Sequence, residues 1–378
     1  MLRMCIFDLY YISYMVLSEI IAYLESLAPL SLQEDYDNCG LLYGDPGWEI
    51  NSMLLTLDLT SGVMDEALGK QCNLIISHHP FIFKGLKKLT AGSPETEIIT
   101  KAARNNIAIY AMHTNLDNYR FGLNAILFRK LGITDFRILK PQKGTLRKLI
   151  TFCPANHASR VREALFSAHA GRIGNYDQCS FNVEGEGSFR ALENSNPFVG
   201  TLNQLHVEKE TRIEVIYHDY DESNVISNLL KSHPYEEIAY DIVPLENDDP
   251  ESGAGLIGTL AEPLAADNFL ARVKETLNIP FIRHTRNPDS GIRKVALCTG
   301  SGSFLIPDAM LQGADAFLTA DIKYHDFFIA SGKLLLADIG HYESEQMVKE
   351  WFHDVLIEKF PNFASLISEV NTNPVHYF

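Results

Sequence analysis

The 378-residue chain reads as an α/β protein, with a mixed sheet built from both ends of the chain and an inserted ferredoxin-like α+β domain between them. Three observations predict this. Short apolar runs alternate with helically spaced segments over residues 15–143, and the alternation resumes over 251–378, as it does in a sheet covered by helices. Between them, in 144–250, the order becomes β-α-β-β-α-β, the split-βαβ signature. The length, at ~100–200 residues per domain, also calls for two or three domains.

The elements follow in order. Ser18 can cap a helix in which Ile20, Ile21, Leu24 and Leu27 recur at helical spacing, and Pro29 stops it. Asp35 to Gly44 has no clear period and reads as a polar loop. A strand is expected near 53–59, a helix near 63–70, a strand at 74–77, a helix over 94–104, a strand at 107–111 and a helix over 121–131. The insert supplies strands near 146–152, 178–183 with 189–191, 212–217 and 238–243, and helices over 157–169 and 225–231. Acidic, turn-rich Glu246–Gly255 reads as a linker. Strands then follow at 295–298, 316–318 and 334–338, with helices near 305–312, 324–330 and 343–358.

Composition excludes several functions. A net charge of −16 and a pI near 5.2 disfavour nucleic-acid binding, which needs clustered positive charge. Six scattered cysteines, with no C-x-x-C pair, read as reduced thiols in a cytoplasmic protein. The apolar segment Met1–Leu17 contains Asp8, lacks a small-x-small cleavage site and is shorter than the ~20 residues of a membrane span. Residues 1–14 are expected to be a disordered or non-native extension, with Met15 the natural start.

Chemistry concentrates at strand ends. Buried-strand run Leu74-Ile75-Ile76 delivers Ser77-His78-His79-Pro80, and Pro80 keeps His79 extended, so the two imidazoles point to opposite faces and suit two metal ions better than one. Alone, the pair is more often one core and one solvated histidine. Two further strand ends change that: His113-Thr114-Asn115-Leu116-Asp117 and Gly340-His341-Tyr342-Glu343-Ser344-Glu345. Ligands bind outside the carboxyl ends of strands in open α/β sheets, so the three clusters can meet. His78, His79, Asp117, His341 and Glu345 offer three imidazoles, two carboxylates and no thiolate, a set for Zn, Mn, Fe or Co. Five ligands are too few to saturate two ions, which leaves positions open.

These motifs, with Asp37-Asn38-Cys39-Gly40-Leu41 and Thr319-Ala320-Asp321-Ile322-Lys323-Tyr324-His325, resemble those of the Ngg-interacting-factor-three-like family, whose members are described as GTP cyclohydrolase I type 2 homologues. The resemblance spans the chain from about Leu17. It implies a centre of two divalent ions, with His78 and His341 on one, His79 and Asp117 on the other and Glu345 serving both. It also implies a ring-like homohexamer and a middle domain similar to PII and CutA proteins, whose closing motif His233-Pro234-Tyr235-Glu236-Glu237 resembles.

His113 and His325 are the expected proton-handling residues, His325 on the strength of the resemblance. Thr299-Gly300-Ser301-Gly302-Ser303 can cradle an anion or simply form a glycine-dependent turn. The expected function is a metal-dependent hydrolase of a small molecule, a nucleotide or cyclic amide. The alternative is a metal-binding regulator or scaffold whose inserted domain senses a ligand.

Overall fold

The computed structural model describes residues 14–90, 92–286, 291–330 and 332–376. The expected extension lies, up to residue 13, outside them. The chain divides into two compact units, one made from Met1–Lys140 and Glu251–Phe378, the other Pro141–Pro250.

The first unit is α/β, but its strands form two large sheets and a two-stranded antiparallel pair, Met15–Val16 with Glu49–Ile50, rather than one sheet. In the five-stranded sheet Ala364–Ile367, Ser52–Thr56, Leu74–Ser77 and Ala108–Ala111 run parallel, and Gly40–Tyr43 closes the edge antiparallel. That edge strand occupies part of the expected polar loop. The six-stranded sheet has the order Arg283–His284, Leu335–Asp338, Ala316–Ala320, Ile292–Ser301, Asp248–Leu264 and Phe136–Lys143. Its centre is parallel, and Asp248–Leu264 pairs antiparallel with Ile292–Ser301.

Leu74–Ser77, Ala108–Ala111 and Leu335–Asp338 are buried along their whole length, which is why each reads as an uninterrupted apolar run. A single core joins the two sheets, with Tyr110, Phe128, Phe269 and Phe352 among its large side chains. Two helix starts carry side-chain caps: Thr60 accepts from Val63 N, and Ser93, followed by Pro94, accepts from Thr96 N. Ser18 is not the expected cap, because the first helix, Leu17–Leu27, begins one residue before it with Val16 at the N-cap and no side-chain cap bond.

Two expectations are corrected. Glu246–Gly255 is no linker, because most of it belongs to the 17-residue strand Asp248–Leu264. The single helix expected over 343–358 is two, His341–Glu345 and Val348–Lys359. Helix Ala266–Leu277, unpredicted, packs Phe269 and Val273 into the core.

The second unit has the order β-α-β-β-α-β. Its four strands are antiparallel in the order Tyr240–Leu245, Leu146–Pro154, Leu205–His218, Phe181–Arg190. Phe181–Arg190 is one strand where the sequence suggested two pieces. Helices Ala158–Ser167 and Glu222–Ser232 bury Val161, Leu165, Val225 and Leu229 against Leu149, Ile213, Val215 and Tyr217. Among the described residues no helix is long and apolar enough to cross a membrane, and the five described cysteines are free.

His233 fixes the end of the second helix of this unit. Its Nε2–H donates to Phe152 O at 2.9 Å while Nδ1 accepts from Tyr235 N at 3.1 Å, an arrangement only the neutral ring can make. Burial accordingly holds it below its ordinary 6.5. A depressed folded-state value means the unfolded chain binds more protons in acid, so this contribution is full above pH 6.5 and is lost as pH falls. The thermal midpoint of this unit is expected to drop between pH 7 and 5, and to drop less in His233→Gln, by calorimetry on the full chain.

Candidate metal centre

Three strands end at one point. Leu74–Ser77 delivers His78 and His79, Ala108–Ala111 delivers His113 and, one short helix later, Asp117, and Leu335–Asp338 delivers His341 and Glu345. The first two strands are neighbours in the five-stranded sheet and the third belongs to the six-stranded one, so the site lies where two sheets meet. Ring centres of His78 and His79 are 5.0 Å apart, His113 is 5.2 Å from each, and His341 is 5.4 Å from His79.

All four imidazoles are held by Nδ1. The partners are Met112 O at 2.8 Å for His78, Asp58 Oδ1 at 2.7 Å for His79, both Asp37 carboxylate oxygens at 2.9 Å for His113, and Asp321 Oδ2 at 2.7 Å for His341. An acceptor at Nδ1 keeps the proton there and leaves the Nε2 lone pair to face the other way. Asp58 is itself fixed, since its second oxygen accepts from Thr372 Oγ1 at 2.7 Å. Asp37 also accepts from Thr114 N at 3.0 Å and lies 3.1 Å from Cys39 Sγ.

The free nitrogens converge on carboxylates. Nε2 of His79 and of His341 lie 3.0 and 3.1 Å from the same Glu345 oxygen, Oε2, and His78 Nε2 lies 3.6 Å from Asp117 Oδ1. The two Glu345 approaches are close yet not aligned as hydrogen bonds: His78 Nε2, Asp117 Oδ1 and Glu345 Oε2 are all buried without a hydrogen-bond partner. An unpaired buried acceptor costs about 1–3 kcal/mol, and a cation placed among several of them removes that cost. Two groups of side chains have donor atoms close enough to share an ion: His78, His79 and His113, and His79, His341 and Glu345.

Electrostatics agree with that reading. Burial, against the pull of Glu345, pushes His78 down to about 3, so this ring is neutral at any physiological pH. Burial opposes charging His79, but Asp58 and Glu345 outweigh it and push it up to about 10; the same contest, decided by Glu345 and Asp321, puts His341 at about 9. Burial and the neighbouring Glu345 charge raise Asp117 well above the carboxylate range. Glu345, despite burial, is held well below it by His341 and His79. The pocket therefore draws positive charge, which protons or a divalent cation can supply. Cys298 borders the cavity, but burial and the adjacent Asp117 and Glu345 keep its thiol protonated, so the donor set stays nitrogen and oxygen.

The backbone makes room for these groups. A Cβ on Gly300, at φ +60°, would sit 2.1 Å from Glu345 Oε1 and 3.3 Å from His341 Nε2, so only glycine fits. Asp321 holds His341 from the left-handed region, at φ 53°, where a non-glycine residue is uncommon. Thr299–Ser303 is not an anion cradle: the N–H groups of Thr299, Gly300 and Gly302 donate to Asn124 Oδ1, Ser344 Oγ and Thr319 Oγ1.

The structure thus brings together His78, His79, His113, Asp117, His341 and Glu345. His325 is not among them; it is exposed beside Tyr324 and Phe328 and does not border the cavity. Sequence reasoning misses Asp58, although it follows a buried strand as the other site residues do. Thr372 carries no sequence signal, being 314 residues from its partner. A cavity of about 550 Å³ opens on the centre, and its walls include Tyr36, His79, His113, Asp117 and Phe304.

Fold and site together define an α/β protein with a histidine–carboxylate cluster able to hold metal. The profile of the Duf34/NIF3 (NGG1p interacting factor 3) family matches residues 15–374, and the chain belongs to that family. It is 36% identical to the GTP cyclohydrolase 1 type 2 homolog of Bacillus subtilis over 365 residues, covering 94% of this chain and 97% of that one. The protein of the same description from Halalkalibacterium halodurans is 37% identical, with 94% and 97% covered. Among solved structures, a Bacillus cereus protein related to NIF3 superposes with a TM-score of 0.83 at 34% identity, covering 97% of this chain and all of that one.

Asp58→Asn should loosen His79 and weaken metal binding by about 10–100-fold, as loss of an orienting carboxylate does. Titration of the metal-depleted protein with Zn(II) against a competing chelator measures it. Thr372→Val should weaken binding less, in the same assay.

Proposed function

We propose that this protein is a hydrolase working with two divalent ions held by His78, His79, Asp117, His341 and Glu345. The observation that supports it most directly is the convergence of three buried acceptor atoms, His78 Nε2, Asp117 Oδ1 and Glu345 Oε2, that no protein donor satisfies. The distances favour a grouping different from the one the resemblance implied: His79 and His341 pair through Glu345, and His78 pairs with Asp117. Such ions supply Lewis acidity toward a carbonyl or phosphoryl oxygen and a water of lowered pKa.

The chain's own residues do the rest. Asp58, Asp321 and Met112 O hold three imidazoles by Nδ1, so that Nε2 of each is the atom turned to the centre. Glu345, charged and buried, would hold an ion together with His79 and His341. His113, oriented by Asp37, presents Nε2 to the same cavity and moves the proton between water and leaving group. The relatives' description as GTP cyclohydrolase 1 type 2 homologs points to hydrolysis at a cyclic C–N bond, in a nucleotide or a cyclic amide. The reading extends to a cytoplasmic homohexamer, as the family resemblance implies.

A second reading is a metal-binding regulator whose PII-like inserted unit senses a ligand. It draws on a cavity of about 720 Å³ within that unit, bordered by Phe152, Phe189, Phe198, Tyr235 and Arg212.

Metal analysis of purified protein, followed by a screen of nucleotides, phosphoesters and cyclic amides, separates the two. The hydrolase reading expects turnover that falls about 100-fold or more in both Glu345→Ala and His79→Ala. Turnover indifferent to both substitutions, or none in metal-replete protein, supports the regulator.

A further inference from the structure

Besides its histidines, the cavity over the proposed metal centre has an unusual wall for an enzyme of nucleotides. Among the described residues that border it there is no lysine and no arginine. Glu34 and Glu95 stand there in addition to Asp58, Asp117 and Glu345. Asn118 Nδ2 donates to Glu34 Oε1 at 2.9 Å, which fixes the carboxylate and leaves its second oxygen able to accept. Three aromatic side chains on the wall are open to solvent, Tyr36 at 70%, Phe83 at 49% and Phe304 at 57% exposure, and Phe83 meets His113 edge-on at 5.7 Å.

One cation stands beside this wall without forming part of it. Lys140 Nζ lies 5.8 Å from the Phe304 ring centre without bordering the cavity, and neither do Lys84, Lys87 and Lys88. The chain as a whole carries −16.

A polyphosphate tail in such a cavity has only the ions of the centre to pair with. Phosphates beyond their reach meet carboxylates, and like charges brought together across an interface oppose binding. A flat, uncharged heterocycle meets the opposite conditions: exposed aromatic faces to stack on, and carboxylate and amide oxygens to accept its N–H groups. A cavity of about 550 Å³ is of the size that small-molecule sites take, ~300–1,000 Å³.

Resting on the hydrolase reading above, we infer that the substrate is a neutral or cationic nitrogen heterocycle with a cyclic amide or amidine bond, and not a nucleoside polyphosphate. It stacks on Tyr36 and Phe304 and donates N–H to Glu34. Hydrolysis then consumes one water: the ring C–N bond breaks, the carbon gains the hydroxyl and the nitrogen gains the proton.

The test compares matched ligands on the Zn-reconstituted full chain by calorimetry: guanosine against GTP, and uncharged dihydrouracil and hydantoin as cyclic-amide probes. The inference expects guanosine or a cyclic amide to bind at least about tenfold more tightly than GTP. Tyr36→Ala and Phe304→Ala should each weaken that binding by about fivefold or more at unchanged zinc content, with Tyr36→Phe restoring it. Glu34→Gln should weaken the donor-bearing ligands in the same assay.

GTP binding more tightly than guanosine, with a steep loss on adding salt, overturns the inference, as does absence of binding by every neutral heterocycle at about 1 mM. Turnover measured in parallel keeps the two readings apart. If GTP is hydrolysed, the hydrolase reading stands and this inference falls; if neutral heterocycles bind through Tyr36 and Phe304 without turnover, the hydrolase reading falls alone.

Discussion

Four imidazoles can face one point only if something else holds the far side of each ring. Here Met112 O, Asp58, Asp37 and Asp321 do so, and every one of these oxygens is an acceptor for Nδ1. The rest of the site depends on that constraint. It aims Nε2 of each ring inward and leaves His78 Nε2, Asp117 Oδ1 and Glu345 Oε2 buried without a hydrogen-bond partner. It also explains two otherwise costly backbone features. Asp321 keeps a left-handed conformation next to His341, and Gly300 remains bare so that Glu345 can lie against the strand end.

The first unit supplies these groups because its two sheets share a core. One sheet carries His78, His79, His113 and Asp117, and the other carries His341 and Glu345. A destabilised packing between the sheets would therefore separate candidate ligands that sequence places more than two hundred residues apart. The C-terminal segment adds to the same arrangement: Thr372 donates to Asp58, while Asn373 Nδ2 donates to Glu343 Oε1 at 3.0 Å, between His341 and Glu345 in sequence.

Much of this was legible in sequence, for physical reasons that differ from element to element. Leu74–Ser77 and Leu335–Asp338 are buried on both faces, so their apolar runs and the polar residues after them could be read directly. Asp248–Leu264 could not. Its acids and glycines read as a linker, yet Gly255 and Gly258 are there because Leu297 O and Ile133 approach within 2.9 and 2.6 Å of where a Cβ would stand. The partition into two sheets was equally hidden, since strand runs carry no mark of which sheet they join. Thr372 was invisible because it acts through Asp58 and a contact made only in the folded chain. His325 shows the opposite limit, a residue placed beside a strand end by resemblance that the fold leaves at the surface.

The charge of the centre links its construction to its use. In the proposed reading Asp117 and Glu345 neutralise half the charge of two divalent ions, and the carboxylates of Asp58, Asp37 and Asp321 behind the imidazoles offset much of the remainder. The ions would then be left with little charge to spare in a cavity whose wall also carries Glu34 and Glu95. The ions would attract a single carbonyl or phosphoryl oxygen, whereas the wall disfavours any further negative charge attached to it. The same carboxylates that exclude an extended anion are acceptors for the N–H edge of a ring, so the arrangement selects on charge and on hydrogen bonding at once.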